Sequence, residues 1–412
     1  MGLLSRMISA VSGTRQGRLG LSAQFEAEGK LIAAAETDAK GQIYIGTKKG
    51  MVECISLKAD LLWSFDLQEK RSSAEEMFLD PEASSSISAQ PRIADINSDR
   101  RLELFVGSET GKLVCFTEDG KKKWEFSAKG PIRSRPDFDS ASGTIIFGST
   151  DKRVYCLDKN GSMKWNFDAK APVESGVTCH KGKCFFGNDN GDFFCISSEG
   201  KLVWQAKTDG KIIATPTVGR LFGDEREHVL IGSFDRKMYA FEMDGKELWS
   251  FSTEGRICSD AALADVNDDG KLEVFFGSCD NMAYALTSEG QRMWTFETDF
   301  WVVARPLVFD LDNDGNYEVV IASYDEFVYV LDARGYYSLD FLPGVSGVAQ
   351  QSGHFAEVLT YRSGENAAKL LWKLRLDGMG TGLAAVVQKQ NKYIIASTNT
   401  GKLDIISYQK EV

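Results

Sequence analysis

Three short acidic segments hold the residues best suited to chemistry in this chain. They are Asp265-Val-Asn-Asp-Asp-Gly-Lys-Leu-Glu273, Asp310-Leu-Asp-Asn-Asp-Gly-Asn-Tyr-Glu318 and Asp95-Ile-Asn-Ser-Asp-Arg-Arg-Leu-Glu103. Each sets side-chain oxygens at positions 1, 3, 5 and 9: Asp265, Asn267, Asp269 and Glu273; Asp310, Asp312, Asp314 and Glu318; Asp95, Asn97, Asp99 and Glu103. With a backbone carbonyl near the seventh position, such a loop can surround Ca2+, which takes six to eight oxygen ligands. Glycine at the sixth position of the first two permits the tight turn around an ion. Arg100 and Arg101 replace Gly-Lys in the third, which weakens its case. Crowded carboxylates repel one another, and a bound cation removes that cost. The competing reading is an Asp/Asn-rich hairpin whose side chains cap their own backbone. Calcium is thus the expected cofactor, in a structural role, because every ligand position is filled and no open position for chemistry is implied. No organic cofactor is expected.

Other chemistry is sparse. Cys179-His-Lys-Gly-Lys-Cys184 has two cysteines across a turn but no second Cys/His pair, which argues against a zinc site. His180, His228 and His354 are the only histidines, and none stands in a nucleophile setting. No Walker loop, Gly-x-Ser-x-Gly elbow or metalloprotease motif occurs. No catalytic residue is assigned.

The elements that must position these loops repeat along the chain. Gly148-Ser-Thr-Asp-Lys-Arg-Val-Tyr-Cys-Leu leads to Trp165, Gly232-Ser-Phe-Asp-Arg-Lys-Met-Tyr-Ala-Phe to Trp249, and Gly277-Ser-Cys-Asp-Asn-Met-Ala-Tyr-Ala-Leu to Trp294. Weaker copies end at Trp63, Trp124 and Trp204, and Trp124, Trp165, Trp204, Trp249 and Trp294 follow one another at 41, 39, 45 and 45 residues. Each unit reads as four short strands separated by turns. A four-strand period of this length selects an all-β propeller over a sandwich. Residues 383–408 supply three strand-like runs, and Leu21-Ser-Ala-Gln-Phe matches the fourth, with Ala23 in the tryptophan place. The N-terminal strand is therefore expected to close the last blade, giving an eight-bladed β-propeller over 19–412. In the seventh repeat, Leu339 holds the simple tryptophan register, but Leu371-Trp-Lys-Leu makes the better outer strand. Insertions are expected at about 67–86 and 340–369. Residues 1–18 form an N-terminal extension with a short amphipathic helix as the simplest reading; a transit peptide, a docking helix and membrane contact through 1–15 stay open.

Register then places the candidates. Asp95 and Asp265 each precede their tryptophan by 29 residues, and Asp310 follows Asp265 by 45, so all three loops join the first and second strands of their blades. First strands line the channel. Their alignment brings Gln90, Arg135, Asp260 and Arg305 to equivalent places, with Arg133 two residues away. Clustered arginines could hold an anionic ligand or acidic peptide; Arg–Asp pairing that fills the channel is the plainer reading. Trp301 alone lies outside the fourth-strand register, either as an exposed binding aromatic or as packing. Cys54, Cys115, Cys156 and Cys195 share one third-strand position where sister repeats carry Ala240 and Ala285, so they read as buried small hydrophobes in a reducing compartment.

The pattern Gly-Ser-x-Asp-x-x-x-Tyr-Ala-Leu-x-x-x-Gly-x-x-x-Trp resembles the quinoprotein-like (PQQ-like) propeller repeat over about 20–408. The acidic loops resemble the calcium loops of FG-GAP repeats. The first resemblance implies a fold more than an activity, since such propellers include quinone-dependent dehydrogenases, an outer-membrane assembly lipoprotein and interaction modules. The adjacent cysteines often found beneath the quinone in the dehydrogenases are missing, and no secretory signal is evident. Across 412 residues, a net charge of −11 argues against nucleic acid as a partner. The sequence reading is a cytoplasmic, cation-stabilised, non-enzymatic scaffold that binds protein through its loops or one face, organelle targeting by the basic N-terminus being left open. The alternative is a quinoprotein-like oxidoreductase or a carbohydrate-active propeller enzyme.

Overall fold

The structure is a computed structural model and describes residues 17–68, 86–335, 368–388 and 390–409. The expected N-terminal helix, most of both insertions, Leu339 and His354 lie outside these residues. Among the described residues there are 32 strands and no helix. The strands form eight four-stranded antiparallel sheets. Numbered in chain order, blades 1–7 span 36–66, 92–127, 137–168, 178–207, 217–252, 262–297 and 307–375. Blade 8 combines 380–409 with the strand Arg18–Glu26, which pairs with Lys402–Gln409 and places Ala23 opposite Ile405. The outer strand of blade 7 is Leu370–Arg375, with Trp372 opposite Val330, as the residue pattern favoured.

Innermost strands are shorter than the apolar runs that announce them. Blade 5 has only Thr217–Gly219 in its ladder, although Ile212 opens the apolar run. Pro216 cannot donate to a ladder, and its counterparts Pro91, Pro136 and Pro306 stand before the inner strands of blades 2, 3 and 7. There is no single core. The buried apolar residues divide into eight clusters, one at each blade junction; Phe185 and Phe193 of blade 4, for example, meet Val229 and Ile231 of blade 5.

The repeat residues are the ones that stitch these junctions. Each of the seven in-register tryptophans donates its indole N–H to a backbone carbonyl of the next blade or the segment leading into it, at 2.8 to 3.3 Å. The ring then lies on the turn between the third and fourth strands of that blade. There Gly120, Gly161, Gly200, Gly245, Gly290 and Gly335 have φ of 69 to 93°, and an added Cβ would fall 2.1 to 2.7 Å from a ring atom. Only glycine meets both demands. The final junction confirms the logic by exception. Ala23 replaces the tryptophan, Ala59 replaces the turn glycine at φ 63°, and the two join the same cluster.

A second stitch explains the Asp-x-x-x-Tyr spacing. Tyr155, Tyr239, Tyr284 and Tyr329 donate their hydroxyls to Asp151, Asp235, Asp280 and Asp325 at 2.6 to 2.8 Å. Each aspartate also accepts a backbone amide from the segment arriving from the previous blade, at 2.9 to 3.0 Å. Blade 1 departs from this, with Lys49 in the aspartate place and Glu53 in the tyrosine place. Glu53 is 3% exposed, accepts the Glu28 amide at 3.4 Å, and leaves Oε2 without a partner. Burial, reinforced by the charge of Glu28, raises its carboxyl to about 7.

Gly200→Ala sets a methyl against Trp165 in a left-handed turn and should cost about 2–3 kcal/mol in urea denaturation, whereas Ala59→Gly should stay within about 1 kcal/mol. Glu53 binds its proton more tightly folded than unfolded, so its stabilising contribution is intact below about pH 4.5 and is lost as pH rises through about 7. The loss amounts to roughly 3 kcal/mol at most. Thermal melts should show Glu53→Gln matching the native chain at pH 5 and exceeding it at pH 8.

Candidate functional site

An antiparallel four-stranded meander sends its first and third turns to one end and its second turn and exit to the other. The propeller therefore has two unlike faces. All three acidic loops join first to second strands, at 95–102, 265–272 and 310–317, and so share one face. In each, the first aspartate accepts the amides four and five residues on, and the third-position Asn or Asp accepts the amide two residues on. The buried glutamates Glu103, Glu273 and Glu318 accept the amides of Ile96, Val266 and Leu311. The self-capping expected of a plain hairpin is thus fully formed, on the same oxygens that would face an ion.

The loops differ in charge. Around Asp310, Asp312 and Asp314, one oxygen from each lies within 4.8 Å of the others. Lys392 of blade 8 donates to the Asp310 carbonyl. In the Asp95 loop Lys123 pairs with Glu103 at 2.7 Å. In the Asp265 loop, burial raises the Glu273 carboxyl, with Asp269 and Asp265 adding to it. These cationic neighbours were missed in the sequence because they come from another strand or another blade.

The channel follows the register of the inner strands and encloses about 690 Å³. Its middle tier carries Gln90, Arg135, Asp260 and Arg305. One tier further in, Arg92 reaches Glu36 at 3.1 Å and Asp137 at 3.2 Å, while Arg135 reaches Glu36 at 3.4 Å. Gln90 donates to the Ala35 carbonyl at 3.1 Å. Asp260 accepts the Thr215 amide at 2.5 Å, and burial raises its carboxyl despite Arg305 and Arg135 nearby. The side with Arg135 is thus a filled ionic network. Arg305 makes no ion pair with a described residue and lines the open space. Glu36 and Arg92, central to this network, were not singled out from sequence.

The opposite face, formed by the second turns and the crossovers between blades, has two halves. Across blades 2 to 5, Arg133 pairs with Glu109 and Glu174 at 2.9 and 2.7 Å, and Lys211 with Glu174 and Asp189 at 2.5 and 3.0 Å. Arg133 therefore belongs to this rim network. Across blades 5 to 7 the rim turns aromatic. Phe300 and Trp301 are 44% and 43% exposed, and Trp301 and Tyr324 stand 6.3 Å apart between centroids. Arg256 lies over the Phe234 ring at 5.2 Å. A second cavity of about 690 Å³ opens among them, lined also by Cys258 and Cys279. Trp301 is thus an exposed rim aromatic.

These features define an eight-bladed propeller with an aromatic channel mouth. The sequence family described as outer membrane protein assembly factor BamB matches residues 48–172 and 150–296, together more than half of the chain, and the chain belongs to this PQQ-like family. Among solved structures it is similar to BamB from Moraxella catarrhalis, at 14% identity and TM-score 0.65, covering 94% of this chain and 99% of that one. It is also similar to the computationally designed Ika8 protein, at 13% identity and TM-score 0.67 over 94% and 99%. Sqt1 of Saccharomyces cerevisiae matches at 11% identity and TM-score 0.69 over 97% and 100%. Identities this low establish the fold alone. No curated protein matches by sequence.

Proposed function

We propose that the chain is a non-enzymatic protein-binding scaffold that engages a protein partner through its aromatic channel mouth. The carrying observation is the exposed pair Phe300 and Trp301, packed with the half-buried Tyr324 beside the Arg256–Phe234 pair. Tryptophan, tyrosine and arginine are enriched among binding hot spots, and the two aromatics bury large, rigid areas at low cost in conformational entropy. The family's description as an assembly factor supports the same reading. A reducing, cytoplasmic setting is part of the proposal, supported by the full burial of Cys54, Cys115, Cys156 and Cys195. Partners captured by affinity purification from native cells should be lost at least about 30-fold in Trp301→Ala protein that melts as the native chain does. Unchanged capture would sink the mouth as the binding surface. The oxidoreductase alternative finds its support in Arg305, which lines the open channel and makes no ion pair with a described residue; quinone-dependent turnover abolished by Arg305→Ala would replace the scaffold reading.

Structural Ca2+ in the acidic loops belongs to the same proposal, with the Asp310 loop the strongest candidate because three carboxylates converge there. Millimolar Ca2+ should raise the melting temperature by a few degrees over chelator-treated protein, and Asp312→Asn should reduce that gain. Identical melts with Ca2+ and chelator would remove the cation from the account.

A further inference from the structure

Cys258 and Cys279 are 21 positions apart in sequence, yet their sulfurs lie 3.5 Å apart at the channel mouth. Cys258 sits on the crossover into blade 6, where neighbouring blades carry Ile213 and Val303. Cys279 sits in the second turn of blade 6, where neighbouring blades carry Phe234 and Tyr324. The two segments are already joined by the Cys279 amide donating to the Arg256 carbonyl at 2.9 Å. Both thiols are partly exposed and line the mouth cavity, so a small reagent can reach them.

We propose that Cys258 and Cys279 form a redox-active dithiol, oxidised to a disulfide by a small-molecule disulfide such as that of glutathione. The Cys279 thiolate attacks one sulfur of the reagent, whose S–S bond breaks and releases one small thiol. Cys258 then attacks the mixed disulfide on Cys279 and releases the second small thiol. The two protons leaving the protein end on the two released thiols, so the protein pair is oxidised as the reagent is reduced. A disulfide needs its sulfurs about 2.05 Å apart, within reach of side-chain rotation on two segments held together by their backbones.

The order of attack has a physical basis. The hydrogen bond between the two thiols lowers that of Cys279 below the ordinary range, with the charge of Arg256 acting in the same sense against burial. Cys258 is raised, chiefly by that same hydrogen bond and then by burial. Low-pKa, accessible thiols near positive charge are the ones that exchange. A comparison sits in the same chain. Cys179 and Cys184 face each other at 2.8 Å in blade 4, but burial, Cys184, and the charges of Asp137 and Asp139 all raise the Cys179 thiol. That pair should exchange slowly.

The test needs no binding partner and so stands apart from the scaffold reading. The full chain is equilibrated in glutathione buffers of graded ratio, acid-quenched, alkylated under denaturing conditions and mapped by peptide mass. The expected result is a single two-electron transition that consumes two of the eight cysteines and joins Cys258 to Cys279. Cys258→Ser should trap glutathione on Cys279, at least about tenfold faster than Cys279→Ser traps it on Cys258. Melting curves of both variants check that the fold is kept. Eight free thiols at every ratio, or a Cys179–Cys184 bond formed first, would overturn the assignment.

Discussion

The indole N–H of one blade reaching a backbone carbonyl beyond the next junction is the contact on which the ring depends. A lone four-stranded sheet of this size buries too little to stand by itself, so each blade is stable only against its neighbours. At seven of the eight junctions the tryptophan supplies a large apolar ring, and its polar edge ties that ring to the next blade or the segment leading into it. Because ring and turn touch, the turn can carry no side chain. One contact thus dictates two residue types about 40 positions apart, which is why the repeat is visible at all. The Ala23–Ala59 junction shows the dependence from the other side: with the indole gone, the turn regains a methyl group.

A frame fixed in this way frees its two faces to diverge. One face carries the self-capped acidic turns. The other carries a rim that is ionic over blades 2 to 5 and aromatic over blades 5 to 7. The same crossover position is Arg133, Glu174, Ile213 or Cys258 in different blades, with no change to the strands behind it. Chemistry therefore varies around the mouth as a set of independent choices on a rigid base.

This division also explains what the sequence disclosed. Blade number, the role of Ala23, the Leu371-Trp outer strand and the placement of the acidic loops all depend on one-dimensional spacing, and spacing is what a sequence displays. The alignment of Gln90, Arg135, Asp260 and Arg305 as one tier was legible for the same reason. Who pairs with whom inside the channel was not, because Arg92 meets Glu36 and Asp137 across the junctions on either side of it, and Arg135 reaches Glu36 past the blade between them. Cys258 and Cys279 escaped notice because neither stands in a repeated cysteine register, and their meeting depends on the approach of a crossover to a turn. Glu53 was hidden differently: its consequence comes from an unpartnered oxygen, which no spacing reveals.

The strand Arg18–Glu26 has no partner until Lys402–Gln409 exists. Among the described strands it is the first to be made, and its partner is the last. Its outward apolar residue Leu21 is 49% exposed even in the finished ring. The growing chain thus presents an unsatisfied strand edge while residues 27–401 are made, the condition under which chains pair with the wrong neighbour. Closure converts that exposure into a clasp whose halves, such as Ser22 and Ser407, are 385 residues apart, so loss of either strand opens the same blade.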